Sequence, residues 1–460
     1  MPIHIDSIDG KDTNSGEDKR AAKKSLDLSN GLPGDTFLLR RGSEWGECFL
    51  GDTTGALNAP LTISTYGVGP RPTIKLDSAN TNRSMIGLDL PGSYFVISGL
   101  RVTVINPYLH PTYQAKFGWK VGISSPKHHN TISNCEFDHL SLGVNFPDGS
   151  HHNSVSFSHF HDLDSLWPIG GAPYIMGALG AMLHGTENSV EYNRFEDNNV
   201  IARLPDGTLV NYSAPVEFYD AMRCKFRYNY ARNHRKNGEL GKSGNAVSDG
   251  NIYEYNVIES DVLNGRGINI HSGTDQFGPV TNTVVNHNTI VLTGEGSQAL
   301  IASQPGTIVK DNVLFARAKA AFMVSPIESN NCYTGQVQIS GAALTNSLKT
   351  NPMLDDELKP LPGSPLLGAG TNGSTIGAYQ ESDMSIKISE IEALLLKAQN
   401  RLTAATIQAG ELDELRALIF KTQADSVFGH SESQQIVDEL KTLLDKVRAA
   451  DLAADNLIEP

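Results

Sequence analysis

Short runs in which apolar and polar residues alternate mark strands, because successive side chains of a strand point to opposite faces. In this chain such runs share a frame: an apolar residue, an Asn or small residue three positions later, and an apolar or small residue two beyond that. The frame reads Ile132, Cys135, Phe137; then Val155, Ser158, Phe160; Val190, Asn193, Phe195; Phe226, Asn229, Ala231; Tyr253, Asn256, Ile258; Val285, Asn288, Ile290; and Val309, Asn312, Leu314. Its middle positions lie 23, 35, 36, 27, 32 and 24 residues apart. That is one solenoid turn of about 23 residues plus loops of unequal length. Stacked turns bury a continuous core, and an Asn at a recurring turn position can hydrogen-bond along the stack. The pattern predicts an all-β chain, a parallel β-helix over residues 1–380; an up-and-down sandwich would need the Asn spacing to be accidental.

After Gln380 the pattern changes. Ile388, Ile391, Leu395, Ala398, Leu402 and Ala405 follow alternating steps of three and four, the spacing of a coiled-coil seam or a narrow helical stripe. A second stripe carries Leu412, Leu415, Leu418 and Ile419, and a third helix starts near Ser431 with a possible capping box to Gln434. Residues 381–460 are thus expected as a C-terminal α-helical appendage of about three helices. It would serve either assembly, as a homotrimer or larger, or capping of the solenoid.

Both ends of the solenoid carry recognisable motifs. Gly10-Lys11-Asp12-Thr13-Asn14-Ser15-Gly16 precedes an expected short helix over about 17–28, then Gly31-Leu32-Pro33-Gly34-Asp35 and Gly42-Ser43-Glu44-Trp45. Leu361-Pro362-Gly363-Ser364-Pro365-Leu366 and Ile376-Gly377-Ala378-Tyr379 stand at the far end. The chain resembles right-handed parallel β-helix proteins of the pectate-lyase-like superfamily, in which a cap helix covers the first coil. The resemblance implies a right-handed solenoid and says little about chemistry, since that fold hosts lyases, hydrolases, epimerases and non-catalytic binders.

Composition agrees with many short strands and tight turns: Gly is frequent, at 43, and aromatics are few, at 7 %. The net charge of -14 argues against broad binding to nucleic acid or anionic membranes. No run approaches the ~18 apolar residues of a membrane span, and the start of the sequence carries no signal-peptide pattern. These features suit a virion-associated or otherwise extracellular protein. Cys48, Cys135, Cys224 and Cys332 are far apart and read as buried fillers.

Against this acidic background Arg223, Lys225, Arg227, Arg232, Arg235, Lys236 and Lys242 place seven basic residues in twenty positions, with Arg266 a coil later. Arg223, Lys225 and Arg227 read as the solvent face of a strand; the others suit a ligand bearing carboxylates or sulfates. Alternation turns Glu217 and Tyr219 outward from Val216-Glu217-Phe218-Tyr219-Asp220, and Asn269 and His271 outward from Ile268-Asn269-Ile270-His271; Asn145 is outward likewise. Outward ladders of this kind form a groove for an extended chain.

The stretch Asn237-Gly238-Glu239-Leu240-Gly241-Lys242-Ser243-Gly244-Asn245, followed by Ile268-Asn269-Ile270-His271-Ser272-Gly273, is similar to alginate-lyase and chondroitinase-B-like polysaccharide lyases. Those enzymes use Lys and Arg on a calcium-neutralised uronate. Here the Glu-to-Lys spacing is shorter, and His271 stands where the family's Arg would fall. The resemblance implies β-elimination from an acidic polysaccharide, with Lys242 or His271 as base, Arg266 or a Ca2+ ion at Glu217 neutralising the carboxylate, and Asp220 nearby. Tyr219, Asn245, Asn269, Lys236, Trp167 and Tyr174 are the expected substrate contacts. Hydrolysis is the competing chemistry, and Glu217 with Asp220, or Asp162 with Asp164, would supply its two carboxylates. The histidines His128, His129, His151, His152, His159 and His161 read as turn and ladder residues rather than metal ligands. A tail-spike-like depolymerase is the favoured role; a non-enzymatic spike that only recognises glycan is the alternative.

Overall fold

A computed structural model describes residues 2–46, 48–77, 85–168 and 175–380. The helical segments expected over 381–460, their trimer seam, and Tyr174 lie outside the described residues.

The repeating frame folds as three parallel faces. Along the first face, Ile132, Val155, Val190, Phe226, Tyr253, Val285 and Val309 are register partners in one column. Along the second, Phe137, Phe160, Phe195, Ala231, Ile258, Ile290 and Leu314 form another. Both columns are fully buried. The third face is built from Lys120–Ser124, Leu142–Phe146, Leu179–Thr186, Ala214–Met222, Lys236–Gly241, Arg266–Ile270 and Gln298–Ala302, again all parallel.

The turn between the first two faces carries the Asn positions. Asn229 Nα donates to Asn256 Oδ1 at 3.0 Å, Asn256 Nα to Asn288 Oδ1 at 3.0 Å, and Asn288 Nα to Asn312 Oδ1 at 2.9 Å. Each Nδ2 donates along the same ladder, as from Asn256 to Phe226 O and Glu254 O. The residue before each Asn is left-handed, with φ of 58° at Tyr192, 56° at Tyr228, 54° at Tyr255 and 50° at His287. Side chains other than Gly pay about 1–2 kcal/mol there. Stacking offsets this: Tyr192 lies on Tyr228 at 4.9 Å and Tyr228 on Tyr255 at 4.9 Å, with planes 3° and 7° apart.

Glycine is required where the third face meets the second. A Cβ on Gly143 would lie 2.5 Å from the Phe160 ring, and one on Gly180 2.3 Å from Phe195. A stack of Phe rings therefore faces a stack of Gly.

One expected element differs. Residues 17–28 hold a single 3-10 turn, Lys19–Ala21, in place of a cap helix. Ala22, Leu26 and Leu28 are buried, even-numbered positions of an extended segment, and Lys23 and Asp27 bridge to Ile5 and Phe49. Backbone pairing to the first coil outcompetes the helix.

Two insertions rise over the third face. One is the hairpin Val200–Arg203 with Leu209–Tyr212; the other joins Leu109–His110, Ala115–Phe117, Ser165–Pro168 and Ile175–Gly177.

Removing one ladder amide should be costly. Asn256→Ala leaves the buried N–H of Asn229 and two carbonyls unpaired, so a loss of about 2–4 kcal/mol is expected. Chemical denaturation followed by circular dichroism would measure it; a loss below about 0.5 kcal/mol would show that the ladder is incidental.

Candidate functional site

The outward column of the third face runs Ser124, Asn145, Met182, Glu217, Glu239, Asn269 and Ile301. Two carboxylates thus stand on adjacent rungs. Glu217 is 5 % and Glu239 8 % exposed, because the insertions cover this part of the face. Above Glu217 lies a cavity of about 650 Å³ whose floor also includes Arg235 and Lys236. Its walls are apolar: Leu179, Ile201, Leu209 and Leu263, the last three from the hairpin and the 261–264 loop. The volume is within the range of small-molecule sites.

The two carboxylates have opposite electrostatics. Glu239 is held down to about 2 although burial opposes its charge, because His271 and Lys236 hydrogen-bond it and lend it positive charge. Lys236 Nζ donates to Oε2, and His271 Nε2 lies 2.9 Å from Oε1. Burial, with the like charge of Glu239, raises Glu217 to about 7. Glu217 Oε2 is buried with no hydrogen-bond partner. Burial also opposes charge on His271, but Glu239 and Asp275 outweigh it and its proton affinity is raised. Its Nδ1 reaches Asp275 Oδ2 at 2.8 Å, so both ring nitrogens face carboxylates.

The structure brings together Glu217, Lys236, Asn269 and His271 of the expected residues; the Asn269 amide lies 3.1 Å from His271 Nε2. Tyr219 follows on the same strand, its ring against Gly241 and Phe277. Arg266 is the register partner of Lys236. Other expected residues are elsewhere. Lys242 Nζ donates to Gly244 O at 2.6 Å, in the loop beyond the strand end, and Asn245 is exposed in that loop. Asp220 adopts φ 57°, which turns it away from Glu217 to accept from Ser243 N. Trp167 is 6 % exposed and packs edge-on against Trp119 within a cluster with Val121, Leu142 and Leu179. It fills a small core instead of offering a face to sugar. Asp164 is ion-paired with Lys116, and Asp162 caps His161 at 2.8 Å. That pair is already engaged.

Calcium at Glu217 does not fit the residues present. Both oxygens of the neighbouring Glu239 are taken by cations, Lys236 and His271, and Glu217 tends to hold a proton. Such a donor set offers little negative charge to a hard cation.

Glu239 and Asp275 were not among the expected catalytic residues. Alternation does place Glu239 outward, since Leu240 points inward, but its pairing with Glu217 depends on register between strands of different coils. Asp275 sits in a loop, where alternation gives no signal.

Comparison with solved structures places the fold. A lacto-N-biosidase (GH136) from Eubacterium ramulus superposes with a TM-score of 0.52 at 14 % identity, over 76 % of this chain and 68 % of that one. Pectate lyase Pel9A gives 0.55 at 14 % identity, over 82 % and 96 %. A rhamnogalacturonan lyase gives 0.50 at 14 %, over 72 % and 87 %. The similarity shows the fold, a parallel β-helix. In sequence, a lacto-N-biosidase of Bifidobacterium longum subsp. longum is 42 % identical over 71 residues, 14 % of this chain and 4 % of that protein. The chain therefore spans a small part of that relative's length. No protein-family model matches.

A proton held on Glu217 has a consequence for stability. Folded Glu217 keeps its proton up to about pH 7, whereas the unfolded side chain releases it near 4.5. Its burial is therefore without penalty below pH 4.5 and destabilises increasingly as pH rises to 7. Glu217→Gln should match wild type near pH 4 and exceed it by up to about 3 kcal/mol near pH 7.5. Denaturation midpoints across that range test this; a pH-independent difference would mean that folding leaves the proton affinity of Glu217 unshifted.

Proposed function

We propose that the protein cleaves a glycosidic bond in an acidic polysaccharide by hydrolysis, with Glu217 as proton donor and Glu239 as the ionised partner carboxylate. The observation that carries this reading is the adjacent pair itself: Glu217, at the floor of the cavity, is raised to about 7, and Glu239, on the next rung, is held at about 2. Two carboxyl groups whose environments push their proton affinities apart are the usual mark of an acid and its partner. Neighbouring parallel strands are about 4.8 Å apart. That spacing suits the roughly 5–5.5 Å separation of retaining glycosidases better than the roughly 6.5–9.5 Å of inverting ones.

Arg235 and Arg266 favour an anionic sugar. Arg235 is half-buried at the cavity floor, with Nη1 lacking a partner, and burial together with Arg266 lowers its proton affinity. A substrate carboxylate would relieve both conditions. Elimination, the chemistry suggested by the lyase-like motif, needs a neutral base beside the cation. His271 is engaged by carboxylates at both ring nitrogens, which raise its proton affinity, and Lys242 donates to Gly244 O outside the cavity, so neither is well placed as that base. The similarity of fold to a lacto-N-biosidase and to pectate and rhamnogalacturonan lyases supports a saccharide substrate and leaves its identity open to test.

A panel of uronate-containing polysaccharides would be incubated with the protein while reducing ends and absorbance near 235 nm are followed together. New reducing ends without absorbance are expected, with retained anomeric configuration by NMR. Glu217→Gln and Glu239→Gln should each lower kcat by about 10²–10⁴-fold. Absorbance at 235 nm would replace hydrolysis by elimination, and no product of either kind would leave a glycan-recognition spike as the better account.

A further inference from the structure

At the rim where the third face turns toward the first, three successive coils bring Asp148, His184 and Asp220 together, with ligating atoms all within 4.8 Å of one another. The convergence follows from register. Phe146, Leu183 and Phe218 are buried partners in one column, and the three polar residues come one or two positions after them, His184 and Asp220 within their strands and Asp148 in the turn beyond its own. None belongs to the Glu217 and Glu239 site.

His184 Nδ1 is buried and has no hydrogen-bond partner, although it lies 3.3 Å from Asp148 Oδ1. Asp220 gives Oδ1 to the Ser243 N–H at 2.6 Å, leaving its second oxygen. Among the described residues, neither aspartate forms an ion pair with Lys or Arg. The other acidic and histidine cluster, Glu136, Asp138 and His161, differs in this respect: Arg71 and Arg101 neutralise it. Two carboxylates converging on an imidazole nitrogen that has no hydrogen-bond partner, with no Lys or Arg paired to them, make a negative cluster that a divalent ion would neutralise.

We propose that Asp148, His184 and Asp220 form a divalent-cation site, with water completing the shell and Zn2+ preferred over Ca2+. The imidazole donor sets that preference, since Ca2+ takes oxygen ligands almost exclusively whereas Zn2+ accepts nitrogen and carboxylate together. Asp148 is largely exposed, its side chain 78 % accessible, which gives the ion a way in. Bound there, it would tie three coils together at the end of the strand that carries Glu217.

The test is calorimetric titration of the full chain with ZnCl2 and, separately, CaCl2, using wild type, Asp148→Asn and His184→Gln. Wild type should bind one Zn2+ at this site, with Ca2+ weaker, and each substitution should weaken Zn2+ binding at least about tenfold. Asp148 is exposed, so Asp148→Asn keeps the test valid if His184→Gln does not fold. The proposal is overturned if wild type takes up no Zn2+, if Ca2+ binds more tightly than Zn2+, or if Asp148→Asn keeps wild-type affinity. In that last case the ion resides elsewhere, as on the His128, His129, His151 and His152 rings. No readout depends on catalysis, so the outcome is independent of the hydrolytic reading.

Discussion

Register along the solenoid axis is the constraint on which the rest depends. In a parallel β-helix each coil gives its backbone hydrogen bonds to its two neighbours, and a slip by one residue would invert every side chain. The Asn ladder resists such a slip from inside the turn. Asn193, Asn229, Asn256, Asn288 and Asn312 each present an acceptor to the N–H of the coil before, and only one register allows all of them to do so. The left-handed Tyr192, Tyr228, Tyr255 and His287 that precede four of these Asn are held by the same turn and add their rings to an external stack.

Once register is fixed, chemistry appears in columns. Glu217 and Glu239 are 22 positions apart in sequence yet neighbours in space, because they occupy the same place on adjacent strands. Two acidic side chains so placed cannot both ionise cheaply once covered. Which of them keeps the proton is decided by a third strand and the strand's own start: Lys236 and His271 both reach Glu239, and neither hydrogen-bonds Glu217. The asymmetry of the pair is therefore a product of its surroundings, not of its residue types.

Much of the fold was legible in the sequence. All seven copies of the repeating frame became register columns, and the outward positions of Glu217, Asn269 and His271 followed from alternation alone. The extended segment that stands in place of the expected cap helix was not legible, since Asp18 opens a turn that fits a helix start while the pairing of Lys23 with Ile5 is a long-range event. The site was legible in part. Alternation ranks residues within a strand, but it cannot say that Glu239 meets Glu217 or that Asp220 swings toward His184 through a left-handed backbone. Trp167 illustrates the same limit: an aromatic residue in an insertion suits a sugar platform or a core, and its contact with Trp119 is what decides.

The repeat supplies the carboxylate floor, but it does not supply the cavity. Walls come from segments that break the period: the hairpin Val200–Arg203 with Leu209–Tyr212 and the 261–264 loop. Ile201, Leu209 and Leu263 are each about three-fifths exposed, an unusual cost for apolar side chains unless a ligand covers them. An apolar rim over a basic and carboxylate floor suits a ligand that carries both apolar and polar surface. Changes in the insertions should accordingly reshape the cavity walls while leaving the floor intact, because register holds Glu217, Glu239 and Lys236 whatever the loops do.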